Sequence, residues 1–207
     1  MAATASPFGL RPINLIGGQS NNGGVIREYL LPSNVAFAYF TGQIMTLAAN
    51  GVITPITGTS PTTSTAGIVG VCVGVRYTDP TLKYTVFGQY LPSGAYTAGY
   101  RDIYVRVNDD PDQLYSIQAA TVVGTRVNGA RGSIGQNAAI TNANTGNATT
   151  GLSNSSLTTG ADWGSTANTA TLALRIVDII TPDDLYPEVL VKFNQGVHSY
   201  YSTAGGV

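Results

Sequence analysis

Short alternating runs of β-branched and aromatic residues, closed every few positions by Gly, Pro, Asn or Thr, leave this chain little to fold into except β-structure. The clearest run is Val71 to Tyr77, where Val71, Val73, Val75 and Tyr77 fall on one face and Gly70, Cys72, Gly74 and Arg76 on the other. Ile103, Val105 and Val107 alternate with Tyr104 and Arg106, and Val189, Val191 and Phe193 alternate with Glu188, Leu190 and Lys192. Leu172, Leu174 and Ile176 repeat the pattern until Asp178 breaks it; a bulge near Val177 restores the phase. Asn50-Gly51, between Ile44–Ala48 and Val52–Ile56, predicts a hairpin with a type I′ turn, in which both central residues take positive φ. Further strands are expected at Val25–Leu31, Lys83–Gln89, Leu114–Ala119 and Gln136–Thr141. Helical periodicity is nearly absent. The fold class is all-β, a single β-sandwich or β-barrel body spanning residues 25–194.

Charge says where this body differs from an ordinary domain. Asp, Glu, Lys and Arg make up 10% of the 207 residues, against roughly 25% in a typical soluble domain. Arg11 is the one charged residue before residue 25, and Asp162 the one between Gly132 and Leu174. Mixed surface charge normally keeps a protein dispersed, so a chain this poor in it suits life packed against other protein. Residues 1–24 carry Phe8, Leu10, Pro12, Ile13, Leu15 and Ile16 and end in a Gly/Asn hinge, which predicts an extended N-terminal arm whose apolar side chains meet a partner. Residues 142–170 are small and polar and predict long charge-poor loops in which Trp163 is an anchor. The tail, 195–207, offers Tyr200 and Tyr201 as further contacts.

Several functions are disfavoured by the same composition. A net charge of −1 lacks the basic footprint of a nucleic-acid binder. Apolar runs stop well short of the roughly 18 residues that suggest a membrane span, and the N-terminus lacks a signal peptide's basic and apolar regions. Cys72 is the only cysteine, so no intrachain disulfide and no multi-cysteine metal site forms. The lone His198 has no nucleophile motif beside it, and Gly129–Gly135 lacks the Lys-Ser/Thr ending of a phosphate loop. Asp109, Asp110 and Asp112 are three hard oxygen donors that suit Ca²⁺, but without the spacing of an EF-hand they suit a turn better. Asn147-Ala-Thr and Asn154-Ser-Ser fit the glycosylation sequon, which this composition produces readily. Tyr84, Tyr90, Tyr96, Tyr100 and Tyr104 fall within one segment and suit either a sugar platform or a protein interface. The expectation is a non-enzyme without cofactor; a hydrolase using the Asp109–Asp112 cluster is the third class considered.

Four stretches carry a resemblance: Pro7-Phe-Gly-Leu-Arg-Pro12, Val75-Arg-Tyr-Thr-Asp-Pro80, Asp109-Asp-Pro-Asp-Gln-Leu-Tyr-Ser-Ile-Gln118 and Thr169-Ala-Thr-Leu-Ala-Leu-Arg-Ile-Val177. With them the chain resembles the capsid decoration, or cement, proteins of tailed bacteriophages. The resemblance implies a β-sandwich or barrel subunit on the outer capsid surface of the virion, made in the host bacterial cytoplasm. Its expected partners are the major capsid protein and its own copies, as a trimer or, alternatively, a dimer. A glycan-binding adhesin or fibre-like head protein, using Tyr and Trp163 for host attachment, is the alternative. On the cement reading residues 1–24 bind the shell and are dispensable to the body's fold.

Overall fold

The computed structural model describes residues 5–18, 26–33, 37–48, 50–56, 67–120, 133–141, 144–158, 172–182, 184–194 and 198–199. Sixteen strands and no helix occur among them. They are β1 (Arg11–Leu15), β2 (Ile26–Leu30), β3 (Tyr39–Phe40), β4 (Ile44–Leu47), β5 (Ile53–Pro55), β6 (Ile68–Thr78), β7 (Thr85–Gly88) and β8 (Tyr90–Leu91). The second half holds β9 (Arg101–Asn108), β10 (Gln113–Gln118), β11 (Asn137–Thr141), β12 (Gly146–Asn147), β13 (Leu152–Ser153), β14 (Ser156–Thr158), β15 (Leu174–Ile179) and β16 (Glu188–Phe193). Sheet I runs β1-β10-β16-β15-β11-β14, and sheet II runs β2-β9-β6-β4-β5 with β7 also on β6. β3-β8 and β12-β13 are two-stranded ribbons. Neither large sheet closes, so the body is a sandwich and not a barrel. No helix among the described residues is long and apolar enough to cross a membrane.

β6 is apolar over nearly its whole length because both of its faces are buried. On one side Ile68 and Val71 join Ile44, Leu10 and the inner face of sheet I, including Tyr115, Ile117, Ile176, Val189, Val191 and Phe193. On the other, Val69, Cys72 and Val75 join Met45, Tyr39, Ile103, Val105 and Val107, roofed by Leu91, Ala95, Tyr96 and Tyr100 from the β8–β9 segment. The roof is tied down where the Tyr96 hydroxyl donates to the Leu31 carbonyl at 2.5 Å. Bulges let one strand serve both cores. Cys72 pairs with Val107 and Gly74 with Arg106, so Val73 is an extra residue and the alternation slips by one. The expected shared face of Val71, Val73, Val75 and Tyr77 is therefore split: Val71 lies in the first core, Val73 is the extra residue, and Val75 and Tyr77 serve the second core. In β15 the predicted bulge is present, since Ile176 pairs with Val191 and Asp178 with Leu190, leaving Val177 over.

The Asn50-Gly51 hairpin forms, with Leu47 opposite Ile53, but not with a type I′ turn. Gly51 has positive φ, at 78°. Its N–H donates to the Ala48 carbonyl at 2.8 Å and the loop closes one pair wider, through Ala48 N–H to Val52 O at 2.9 Å.

The N-terminal segment is docked on its own body over residues 5–18. β1 pairs with β10, Arg11 opposite Ser116 and Pro12 opposite Tyr115, at the edge of sheet I where proline is tolerated. Leu10 is 1% exposed and belongs to the first core. Docking needs two backbones to touch: a Cβ on Gly9 would lie 2.5 Å from the Gly42 carbonyl oxygen, which accepts the Leu10 N–H at 2.9 Å. Part of the expected charge-poor loop is structured for a similar reason. Gly146 of the β12-β13 ribbon sits on the Phe40 ring, where a Cβ would approach to 2.2 Å. Leu157 of β14 is fully buried in the first core.

Two consequences are measurable. Leu10→Ala should destabilise the protein by about 2–5 kcal/mol, the usual range for emptying a buried leucine site, read from denaturant midpoints. Deletion of residues 1–24 should lower stability at least as much, because it removes Leu10 and an entire strand; unchanged unfolding of either variant would count against the docked segment.

Candidate functional site

Of the expected contact residues, Leu10 points into the core and is unable to reach a partner. Phe8, Pro12, Ile13 and Leu15 are half-buried, and Ile16 is 51% exposed. The Arg11 guanidinium lies 4.5 Å from the centre of the Phe8 ring. Phe8 and Arg11 form one wall of a groove of about 430 Å³ whose other wall is Asn147, Thr150, Leu152 and Asn154 of the β12-β13 ribbon. The Asn147 carboxamide oxygen accepts the Thr149 N–H at 2.8 Å, which shapes the ribbon's turn. Both sequon asparagines therefore line the same groove. Trp163, Tyr200 and Tyr201 lie outside the described residues.

The acidic cluster is a turn between β9 and β10 whose three carboxylates face different partners. Asp109, mostly buried, meets Arg27 at 3.0 Å and accepts the Tyr29 hydroxyl at 3.2 Å. Asp110 accepts the Asp112 N–H at 2.8 Å, and Asp112 lies 3.7 Å from the Lys192 ammonium. Below them Asn108 donates to the Gln113 side chain at 3.0 Å, and the Tyr115 hydroxyl donates to the Asn108 carbonyl at 3.3 Å, joining the sheets with polar contacts. No three metal-type side chains converge among the described residues. Among the described residues the three carboxylates anchor a turn.

Other reactive groups are sequestered. Burial pushes the Cys72 thiol up to about 12, which leaves it unreactive at neutral pH. His198 is 1% exposed, next to Ile68 at the start of β6, with Ser199 N–H donating to the Ile68 carbonyl at 2.7 Å. Of the Gly129–Gly135 run, residues 133–135 form a turn and the rest lies outside the described residues. The five tyrosines do not make one platform. Tyr90 stacks on Phe40 at 4.8 Å, Tyr96 and Tyr100 pack on the second core, Tyr104 lies under Arg76, and Tyr84 is exposed.

A surface that sequence reading missed lies on sheet II. Sheet I covers the Val71 end of β6, and farther along the same face the side chains are exposed or half-buried. There Leu30 stands opposite Tyr104, Tyr104 opposite Arg76, and Arg76 opposite Phe87, one row across β2, β9, β6 and β7. Leu30 and Phe87 are 58% and 64% exposed. The Arg76 guanidinium lies 4.0 Å from the Tyr104 ring centre and grips Glu28 through Nη2–Oε2 at 2.8 Å and Nε–Oε2 at 3.2 Å. Hydrogen bonding to Glu28 is the main reason its pKa is raised. Arg106 approaches Glu28 at 3.9 Å and the Phe87 ring at 5.8 Å, passing over Gly74, which has no side chain in the way. The alternation Glu28–Leu30 and Tyr104–Arg106 held the signal, but which face stays open depends on how far sheet I extends.

Comparison with protein-family models, curated proteins and solved structures gives no match.

His198 yields a pH test. Burial holds its imidazole below the ordinary value of 6.5, outweighing a hydrogen bond to the Val69 backbone and the pull of Asp109, Asp110 and Asp112. The unfolded chain therefore takes up the proton first. The His198 contribution is constant above 6.5 and declines as pH falls from 6.5 toward the depressed folded value. The melting temperature should drop across that window, and His198→Gln should flatten the drop; an equally steep profile in the variant would exclude His198 as its source.

Proposed function

We propose that this chain is a structural virion protein that decorates the outer capsid surface and cements neighbouring major capsid subunits. The observation that carries the reading is a sandwich with very little charge, whose surface displays large apolar side chains: Ile16, Leu30, Leu82, Tyr84, Phe87 and Ile180. Such a surface suits permanent contact with protein. The described functional groups support the same direction, because the acidic turn, Cys72 and His198 are all engaged in holding the fold.

The arm mechanism takes a modified form. β1 is bound to β10 along one edge, and its other edge is unpaired among the described residues. A strand of a capsid subunit can add there through main-chain hydrogen bonds, with Phe8 and Ile16 at the two ends of the contact. A partner that binds the assembled shell and not its separated parts stabilises it by about 2.7 kcal/mol per site at a hundredfold excess over Kd. Many sites acting together resist internal genome pressure.

A glycan-binding role at the Phe8–Asn154 groove is the second reading, favoured by an aromatic ring beside two carboxamides. The two separate by experiment. Purified protein added back to particles that lack it should bind at a fixed copy number and raise the temperature of shell disruption. Particles that neither bind it nor gain stability would sink the cement reading. Loss of host attachment by stripped particles, with glycan-array binding abolished by Asn154→Ala, would establish the adhesin instead.

A further inference from the structure

We infer that the open face of sheet II is a two-fold self-association surface whose occupant is a second copy of this chain. The inference deepens the cement reading by giving its oligomer a surface, and rests on the row Leu30–Tyr104–Arg76–Phe87. Read across the strands, that row is apolar, aromatic, cationic, apolar. It is complementary to its own reverse. A two-fold axis parallel to the strands, passing between β9 and β6, lays β2 of one copy over β7 of the other. Leu30 then faces Phe87, and Tyr104 faces Arg76, in both directions at once, as an isologous contact requires.

Charge favours this occupant over an acidic or basic partner. Glu28 lies between Arg76 and Arg106, so the face carries both signs within one cluster and presents no single-sign field to match. On this axis Arg106 of one copy lies over Gly74 of the other and Arg76 over Tyr104, so no arginine is set directly opposite another. The side chains are also held in place before binding: Arg76 is fixed by Glu28 and by the Tyr104 ring, which reduces the entropy lost on docking. Aromatic and arginine side chains in such positions are the usual anchors of interfaces. The face spans three inter-strand steps, about 14 Å, and is small beside the roughly 800 Å² per partner of a standard interface. The dimer is therefore concentration-dependent in solution and is reinforced where a lattice raises the effective concentration.

Sedimentation velocity of the full chain from micromolar to near-millimolar concentration tests this without any capsid, so that failure here leaves the cement reading standing and failure of add-back leaves this one standing. A reversible monomer–dimer equilibrium is expected, weakened at least tenfold by Phe87→Lys or Leu30→Lys while the melting temperature holds, since both sites are exposed. Cross-linking tests the register: Leu30→Cys and Phe87→Cys proteins, when mixed, should be joined by a short bis-maleimide that spans the roughly 10 Å between packed sheets, and each alone should not. The buried Cys72 does not interfere. A monomer at every concentration, a trimer, a dimer indifferent to Phe87→Lys, or self-cross-linking by each single variant would overturn the proposal.

Discussion

The architecture depends on one strand being apolar on both faces. β6 separates two cores that share no other element of comparable length, and each face has its own clients: sheet I and Leu10 on one side, the tyrosine-bearing roof on the other. A strand with one buried face can tolerate a polar alternation; a strand that is a common wall can not. Its bulges follow from that demand. An unbroken two-residue repeat would commit Val71 and Val75 to one core, whereas slipping a residue at Val73 divides them between two.

The class of the fold was legible because alternation and turn residues act locally. The bulge at Val177 is the best instance: Ile176 and Asp178 conflict with strict alternation, and an extra residue is the cheapest resolution. The Val73 bulge left no such mark, since Gly, Val and Cys are compatible with either face. The Asn50-Gly51 pair located a hairpin, but its flanking Ala48–Val52 hydrogen bond widened the loop and changed the turn.

Long-range contacts were the part that sequence alone hid. An apolar, proline-bearing N-terminus reads equally as an arm and as an edge strand; Gly9 against Gly42 decides between them, and that contact is invisible until both backbones are placed. The same holds for the ribbon at 146–153, whose small residues looked like the composition of a loop and instead let it lie flat on Phe40. Contact residues were harder still. Leu10 was expected at a partner and fills the core, while Arg76, Tyr104 and Phe87 lie in strands already assigned to the body and acquire their exposure from where the covering sheet stops.

The docked N-terminal strand also sets an order of events during synthesis. β1 is made before the other described strands, yet its strand partner β10 comes late: the Ser6 N–H finds its acceptor on Gln118, 112 positions on, and β10 in turn awaits β16. Until then Gly9 and Leu10 can reach Gly42 but β1 has no strand to pair with, and the non-local closure makes that pairing slow relative to the hairpins. Where many copies are made together, that interval is when the first strand of one nascent chain can be captured by the sheet of another.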